Sequence, residues 1–235
     1  MNQPKSTVEE IRARFDGEVE RFSNLETGQV ATMDAAFCLD LVAATAAAAT
    51  PGARDVLDVG CGAGNYSLKL RERLPAARFT LVDLSRPMLD RARERLGPSA
   101  AEARQEDVRR LDFAPGSFDV ILAAAVLHHL RAPGEWEGVF GRFRRWLRPG
   151  GGLWIFDLVS HEDPAVQAEA WARYGRYLDG LGGPGYRAKV FDYIEREDTP
   201  APLAWQLELL RRSGFARVDV LHKNSCFAAY GGVAG

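Results

Sequence analysis

Apolar residues recur every three or four positions across residues 8–22, where Val8, Ile11, Phe15, Val19 and Phe22 fall on one face of an amphipathic helix. The alanine-rich stretch 30–49 predicts a second helix, since alanine is the best helix former, and Pro51-Gly52 stops it. From residue 55 the pattern changes. Short apolar runs at 55–59, 78–82, 101–105, 118–123 and 153–159 predict strands. Between them, 65–74, 86–96 and 134–147 predict helices. Ser85 caps the second of these, Pro87 sits in its first turn, and Gly97-Pro98 ends it. Pro149-Gly150-Gly151-Gly152 ends the third.

Strands alternating with helices predict a doubly wound α/β fold, with a mostly parallel sheet covered on both faces. Near-continuous apolar runs such as Val120-Ile121-Leu122 fit strands buried on both sides. Residues 161–197 interrupt the alternation. They are helical in composition, rich in Trp, Tyr, Arg and Gly, and begin at Asp163-Pro164. A helix over 202–213 follows, then strands at 215–221 and 225–230. Lys223-Asn224 separate these strands and predict an antiparallel hairpin.

A chain of 235 residues with 46% hydrophobic content suits one sizeable domain. Its parts are N-terminal helices or a lid (1–50), a ligand-binding core (51–160), a helical insertion on the substrate side (161–200), and a C-terminal helix and hairpin (201–235). Thirty basic against 32 acidic residues exclude nucleic-acid binding driven by bulk charge, while a local basic patch stays open. The three cysteines, Cys38, Cys61 and Cys226, are odd in number, widely spaced and without a C-x-x-C pair. They read as buried small hydrophobes in a reducing compartment, with no disulfide framework and no metal site expected. Residues 1–10 carry no apolar signal core. The longest apolar stretch, 39–50, is mostly alanine and far short of the ~20 residues of a membrane span. A cytoplasmic protein making no membrane contact is expected. Nothing in the pattern distinguishes a monomer from a homodimer.

The strongest chemical signal is Val56-Leu57-Asp58-Val59-Gly60-Cys61-Gly62-Ala63-Gly64-Asn65. A strand runs into a glycine turn and a helix follows, so backbone can approach a ligand closely and present unpaired N–H groups. A dinucleotide fingerprint, G-x-G-x-x-G, needs its third glycine at position 65, where Asn65 stands. Asp58 at the strand end would repel a pyrophosphate and attract a ligand carrying a cationic amine and a sulfonium. The loop therefore favours a zwitterionic amino-acid ligand over a nicotinamide dinucleotide. Asp83 ends the next strand, positioned to accept hydrogen bonds from both ribose hydroxyls. Gln105-Glu106-Asp107-Val108 follows the third strand at the same sheet edge. There Asp107 can accept from an adenine amino group and Val108 can pack on the ring.

In this order and spacing, the pieces resemble the class I S-adenosylmethionine-dependent methyltransferases. The resemblance runs over residues 55–157, more loosely to 231, and includes the strand 118–125 and the turn Leu147-Arg148-Pro149-Gly150-Gly151. It implies a seven-stranded sheet of order 3-2-1-4-5-7-6 with strand 7 antiparallel. It also implies S-adenosylmethionine as cofactor and S-adenosylhomocysteine as product. Gly60 and Gly62 would then line the methionine part, and Leu84 and Val108 would sandwich the adenine. Ala123 would offer its carbonyl to the methionine amine, with Cys61, Gly64, Met88, Ala124 and His128 completing the pocket.

Methyl transfer from a sulfonium is a direct displacement needing orientation and exclusion of water, and a base only where the acceptor must lose a proton. His128 and His129, just past strand 4, and Asp157, at the tip of strand 5, are the candidates; His128 can equally line the cofactor pocket. Phe15 and Phe22 are expected to cover the cofactor or to pack on the sheet edge. A small-molecule acceptor is the leading expectation. A looser similarity is to the tRNA wobble-uridine carboxymethyltransferases, which use carboxy-S-adenosylmethionine. It rests on Phe15-Asp16-x-x-Val19-x-x-Phe22, Ser213-Gly214-Phe215 and Cys226-Phe227-Ala228. It would make Arg187 or Lys189 a reader of the extra carboxylate, and tRNA the acceptor. Tyr174 and Tyr177, in the segment 171–177, would wall a substrate pocket, stack on RNA, or pack as a helix face. A non-catalytic S-adenosylmethionine-binding module is the remaining alternative.

Overall fold

The computed structural model describes residues 4–24 and 28–235; residues 1–3 of the polar N-terminal stretch lie outside them. Seven strands form one sheet of order β3-β2-β1-β4-β5-β7-β6. They are β1 (Asp55–Val59), β2 (Arg78–Asp83), β3 (Ala100–Gln105), β4 (Phe118–Ala124), β5 (Leu147–Leu158), β6 (Phe215–Asn224) and β7 (Phe227–Ala234). The first five run parallel, and β7 lies antiparallel to both β5 and β6. Val59 pairs with Val82 on one side and Ala123 on the other, and Asp83 pairs with Gln105. The C-terminal tips of β1 to β4 therefore meet at one edge. The winding reverses between β1 and β4, which opens a crevice there, the usual ligand position in an open α/β sheet.

Alternate side chains of each central strand enter different cores. Val56, Val120 and Trp154 pack with α3 (Ala35–Ala49), α4 (Asn65–Arg73) and α5 (Arg86–Leu96). Leu57, Ile121 and Leu153 pack with α6 (Pro133–Trp146) and α8 (Leu203–Arg212). This double burial is the reason β4 reads as an apolar run from Val120 to Ala124.

The structure departs from the sequence pattern in four places. The helix expected over 8–22 is two: α1 (Val8–Asp16), opened by a Thr7–Glu10 capping box, and α2 (Val19–Ser23), separated at Gly17. The second helix starts at Ala35 rather than at residue 30, because the carbonyls of Val30 and Ala31 accept from the hydroxyls of Tyr177 and Tyr174 instead of from helix N–H groups. The glycine run at 150–152 belongs to β5, which starts at Leu147 and shifts register against β4 before Gly152. The hairpin turns at Ser225-Cys226, with Ser225 at φ 53° and Asn224 paired to Phe227. Residues 161–197 form a long helix as expected, α7 (Pro164–Glu197), broken at Gly182 and Gly183 ahead of Pro184. No helix among the described residues is long and apolar enough to cross a membrane.

Candidate functional site

β1 carries Asp58 into the glycine turn, and Gly60 begins that turn at φ 65°. A Cβ there would stand 2.6 Å from the Val126 side chain, so only glycine fits both the conformation and the space. Asp83 at the tip of β2 braces the turn. Its Oδ2 accepts from the Gly62 N–H at 2.8 Å and its Oδ1 from the Ser85 N–H at 2.8 Å. Ser85 caps α5 through the Met88 N–H, which fixes where Leu84 and Met88 stand.

A cavity of about 510 Å³ opens along these tips. Asp58, Gly60, Cys61, Gly62, Asp83, Leu84, Met88, Asp107, Val108 and Ala124 all line it. Gly64 and Ala123 stand one residue outside the lining. Gly64 caps α4 against Ala92, between the lining residues Ala63 and Asn65. Ala123 is fully buried beside Ala124. Phe15 and Phe22 line the cavity from α1 and α2, their rings 5.6 Å apart, and the Asn65 side chain donates to the Phe22 carbonyl at 2.9 Å.

Asp58 is buried, and its Oδ2 accepts from the Ser67 hydroxyl at 2.6 Å. Burial, reinforced by the neighbouring charge of Asp83, pushes its carboxyl up to about 7. No ion pair among the described residues reaches it. Burial also lifts Asp83 to about 6, against the backbone N–H groups that favour its charged form. Asp107 differs: despite burial, Arg109 holds it below the ordinary value, and Arg109 is further paired with Glu135 at 3.0 Å. Tyr66 also lines the cavity, and its buried hydroxyl has no hydrogen-bond partner.

A second wall comes from segments that carry no motif. Lys5, Thr7, Ile11, His129 and Arg131 line it. Lys5 donates to the carbonyls of Glu195 and Asp198. Arg131 donates to the Thr199 hydroxyl at 3.4 Å and the Ser6 carbonyl at 3.0 Å. Among the described residues neither cation is in an ion pair with a carboxylate. Burial lowers both, and for Lys5 the charge of Arg131 adds to the effect.

His129, not His128, faces the cavity. His128 lies behind it, with Nδ1 hydrogen-bonded to Asp157. Asp157 is buried and also accepts from the Leu127 and Leu158 N–H groups at 2.8 and 2.7 Å. Burial opposes a charge on His128, but Asp157 and Asp198 outweigh it and raise the ring to about 9. Burial, and then the charge on His128, push His129 well down.

Four other candidates stand apart from the cavity. Tyr174 is buried among Trp171, Phe191 and Phe227, and its hydroxyl and that of Tyr177 hold residues 30–31. Arg187 is paired with Asp179 at 2.8 Å on α7, and Lys189 is exposed on the same helix. Among the cavity-lining residues that the sequence pattern missed are Lys5, Tyr66 and Arg131.

Residues 56–151 match a family model described as a methyltransferase domain. A carboxy-S-adenosyl-L-methionine synthase of Chromohalobacter salexigens is 33% identical over 184 residues, covering 74% of this chain and 66% of the relative. A trans-aconitate 2-methyltransferase of Paracidovorax citrulli is 32% identical over 160 residues, covering 67% of this chain and 60% of the relative. The chain thus spans just under two thirds of these two curated relatives. Among solved structures, a 1,6-didemethyltoxoflavin-N1-methyltransferase of Burkholderia thailandensis, bound to its substrate and S-adenosylhomocysteine, superposes with a TM-score of 0.64 at 20% identity, covering 100% of this chain and 93% of that one. At that identity the likeness shows a shared fold.

Proposed function

We infer the activity from one premise: the chain belongs to the class I S-adenosylmethionine-dependent methyltransferase family. On this reading it binds S-adenosylmethionine at the tips of β1 to β3 and methylates a small anionic molecule held against the wall of Lys5 and Arg131. The observation that carries the reading is a cavity with uncompensated carboxylates on one wall and uncompensated cations on the other.

The donor set fits the cofactor. Asp58, buried without a cation, suits the amine of the methionine part, and Asp83 retains lone pairs for two ribose hydroxyls. Leu84 and Val108 flank the adenine, and Asp107 accepts from its amino group through lone pairs that Arg109 leaves free. Gly60, Cys61, Gly62 and Gly64 give close backbone approach, Ala123 and Ala124 offer backbone at the tip of β4, and Met88 closes the floor. When bound, S-adenosylmethionine supplies a methyl group on a sulfonium leaving group. Direct displacement asks this chain for alignment and dryness rather than a covalent nucleophile. Alignment alone is worth up to roughly 7–11 kcal/mol. Phe15 and Phe22 supply the dryness as a lid. His128 and Asp157 lie one layer behind His129 and hold it in place; they are positioning residues.

Arg187 and Lys189 stand outside the cavity and lend no support to a carboxylated cofactor read by them. The aromatic stretch that would have stacked on RNA is engaged in packing.

The test is mass spectrometry of ligand released from freshly purified, denatured protein, followed by transfer of labelled methyl to paired acids and their neutral amides. Release of S-adenosylmethionine or S-adenosylhomocysteine, with label entering acids only, supports the reading. Label entering the amides equally overturns the anionic acceptor. A protein that neither carries nor binds the cofactor overturns the activity.

A further inference from the structure

Three side chains converge behind the wall that His129 forms. His128 and His129 are presented by the single 3-10 turn Leu127–His129 after β4, and Asp198 caps the end of α7. Their donor atoms all lie within 4.8 Å of one another. Asp198 Oδ1 is 3.6 Å from His128 Nε2 and 3.4 Å from His129 Nδ1. Such separations are long for hydrogen bonds. The shorter matches the edge, about 3.3–3.4 Å, of a tetrahedron of ligands bonded at ~2.0–2.1 Å to a central ion, and the longer exceeds it by about 0.2 Å.

Of these three atoms, the Asp198 oxygen is the one buried without a hydrogen bond among the described residues; His129 Nδ1 lies 3.5 Å from the Glu197 carbonyl. Asp198 is 4% exposed, yet among the described residues its Oδ1 accepts no hydrogen bond. Sealing a carboxylate oxygen away from every donor is costly, and the His128 ring, the positive group that faces it, stands 3.6 Å off, beyond hydrogen-bond reach. The surroundings are built to hold an imidazole as a ligand. Asp157, fixed by two backbone N–H groups, holds His128 Nδ1 and leaves Nε2 directed at Asp198. A carboxylate behind a ligating histidine is the usual support that orients the ring and raises its basicity. Arg14 neutralises Glu197, which leaves Asp157 and Asp198 to balance a dication.

We propose that His128 Nε2, His129 Nδ1 and Asp198 Oδ1 bind one divalent first-row transition-metal ion beside the cavity. Two imidazoles and one carboxylate suit zinc, iron, nickel or copper, and are too few oxygens for calcium or magnesium. Three protein ligands leave coordination positions open. On the methyl-transfer reading, an ion there would hold an anionic oxygen of the acceptor as a Lewis acid. Binding of the ion does not depend on that reading.

The test uses the whole chain, dialysed against a chelator and titrated with cobalt(II) chloride alone, read by visible d–d absorption and by thermal melting. One equivalent saturating the bands and raising the melting temperature is the expected result. His129→Gln and Asp198→Asn, judged folded by circular dichroism, are expected to lose the bands. Asp157→Asn is expected to weaken binding by roughly 10–100-fold. X-ray absorption on the wild-type cobalt form, which needs no variant, is expected to show two imidazoles on the ion. No bands with excess cobalt, bands that persist in both folded ligand variants, or a first shell without imidazole would each overturn the site. None of these readouts involves methyl transfer, so failure here is separable from failure of the proposed activity.

Discussion

Arg14 on α1 grips Glu197 at the end of α7: its Nε reaches both carboxylate oxygens at 3.1 Å and its Nη2 reaches Oε2 at 2.9 Å. The same Nη2 donates to the Tyr193 hydroxyl at 2.6 Å. One residue along, Phe15 stands in the cavity. α1, the proposed lid, is therefore fastened to the insertion by this charge pair, beside the bonds that Lys5 and Ser6 make to the carbonyls of Glu195, Arg196 and Asp198. Glu197→Gln keeps the shape and removes the charge, which costs about 1–3 kcal/mol for a charge-assisted contact of this kind. Hydrogen exchange is the measurement. Amides of residues 8–16 are expected to exchange roughly 10–100 times faster, while those of β4 hold their rate. Unchanged exchange in α1 would mean that the apolar contacts of Ile11 and Phe15 hold the lid without the pair.

Asp83 ties the glycine turn to β2 and, as proposed, receives the ribose. Asp83→Ala removes two charge-assisted hydrogen bonds to ligand and is expected to weaken cofactor binding by about 1.5–3 kcal/mol, measured by fluorescence titration with S-adenosylhomocysteine. Asp83→Asn keeps the size and is expected to fall between the two. Wild-type affinity in the alanine variant would remove the ribose assignment.

Asp58 makes stability depend on pH. Its folded carboxyl is pushed from an ordinary 3.8 up to about 7, so between those values the folded state holds a proton that the unfolded chain has lost. The associated stabilisation is complete below pH ~4 and is lost as pH rises through about 7. A displacement of that size is worth about 4 kcal/mol at most. Asp58→Asn is expected to abolish this slope. Urea unfolding of the cofactor-free protein at pH 5.5 and pH 8 should show the variant gaining on wild type at the higher pH. A cationic amine seated on Asp58 forces its ionisation. Near pH 6, cofactor binding by wild type is therefore expected to release a proton, seen as a dependence of binding heat on buffer. Parallel pH profiles for the two proteins would contradict this.

The sheet and the cavity wall at the tips of β1 to β3 were legible in the chain because each rests on local patterning. A strand, a glycine turn and an acid at the next strand tip fall within a few dozen residues, and Asp58, Asp83 and Asp107 all reached the cavity. The proposed acceptor wall was not legible, since Lys5 and Arg131 come from two distant segments with no shared motif. Between His128 and His129, periodicity cannot tell which ring a 3-10 turn sends outward. For Tyr174 and Tyr177 composition left a pocket wall, RNA stacking and a packed helix face open, and the structure shows packing. Their hydroxyls hold the carbonyls of residues 30 and 31, a long-range pairing that also shortens α3. Arg187, a candidate carboxylate reader by resemblance, is paired across the helix break with Asp179.

Arg131 gives the sharpest test of what the acceptor is. Among the described residues its guanidinium donates to a hydroxyl and a carbonyl and Lys5 nearby donates to carbonyls, so neither has a carboxylate partner there. An anionic acceptor would supply that partner, and a charged hydrogen bond of this kind is worth about 1.5–3 kcal/mol. Arg131→Met is then expected to raise KM for an acidic acceptor by roughly 10–100-fold while leaving S-adenosylhomocysteine affinity near wild type. Arg131→Lys is expected to restore part of the loss, since a point charge replaces the charge but not the two-pronged geometry. The wild-type KM should rise with salt more steeply than that of the variant, because the screened interaction is the one the variant lacks. If KM rises equally for the acid and its neutral amide, the arginine shapes the wall without reading charge, and the acceptor is not selected as an anion.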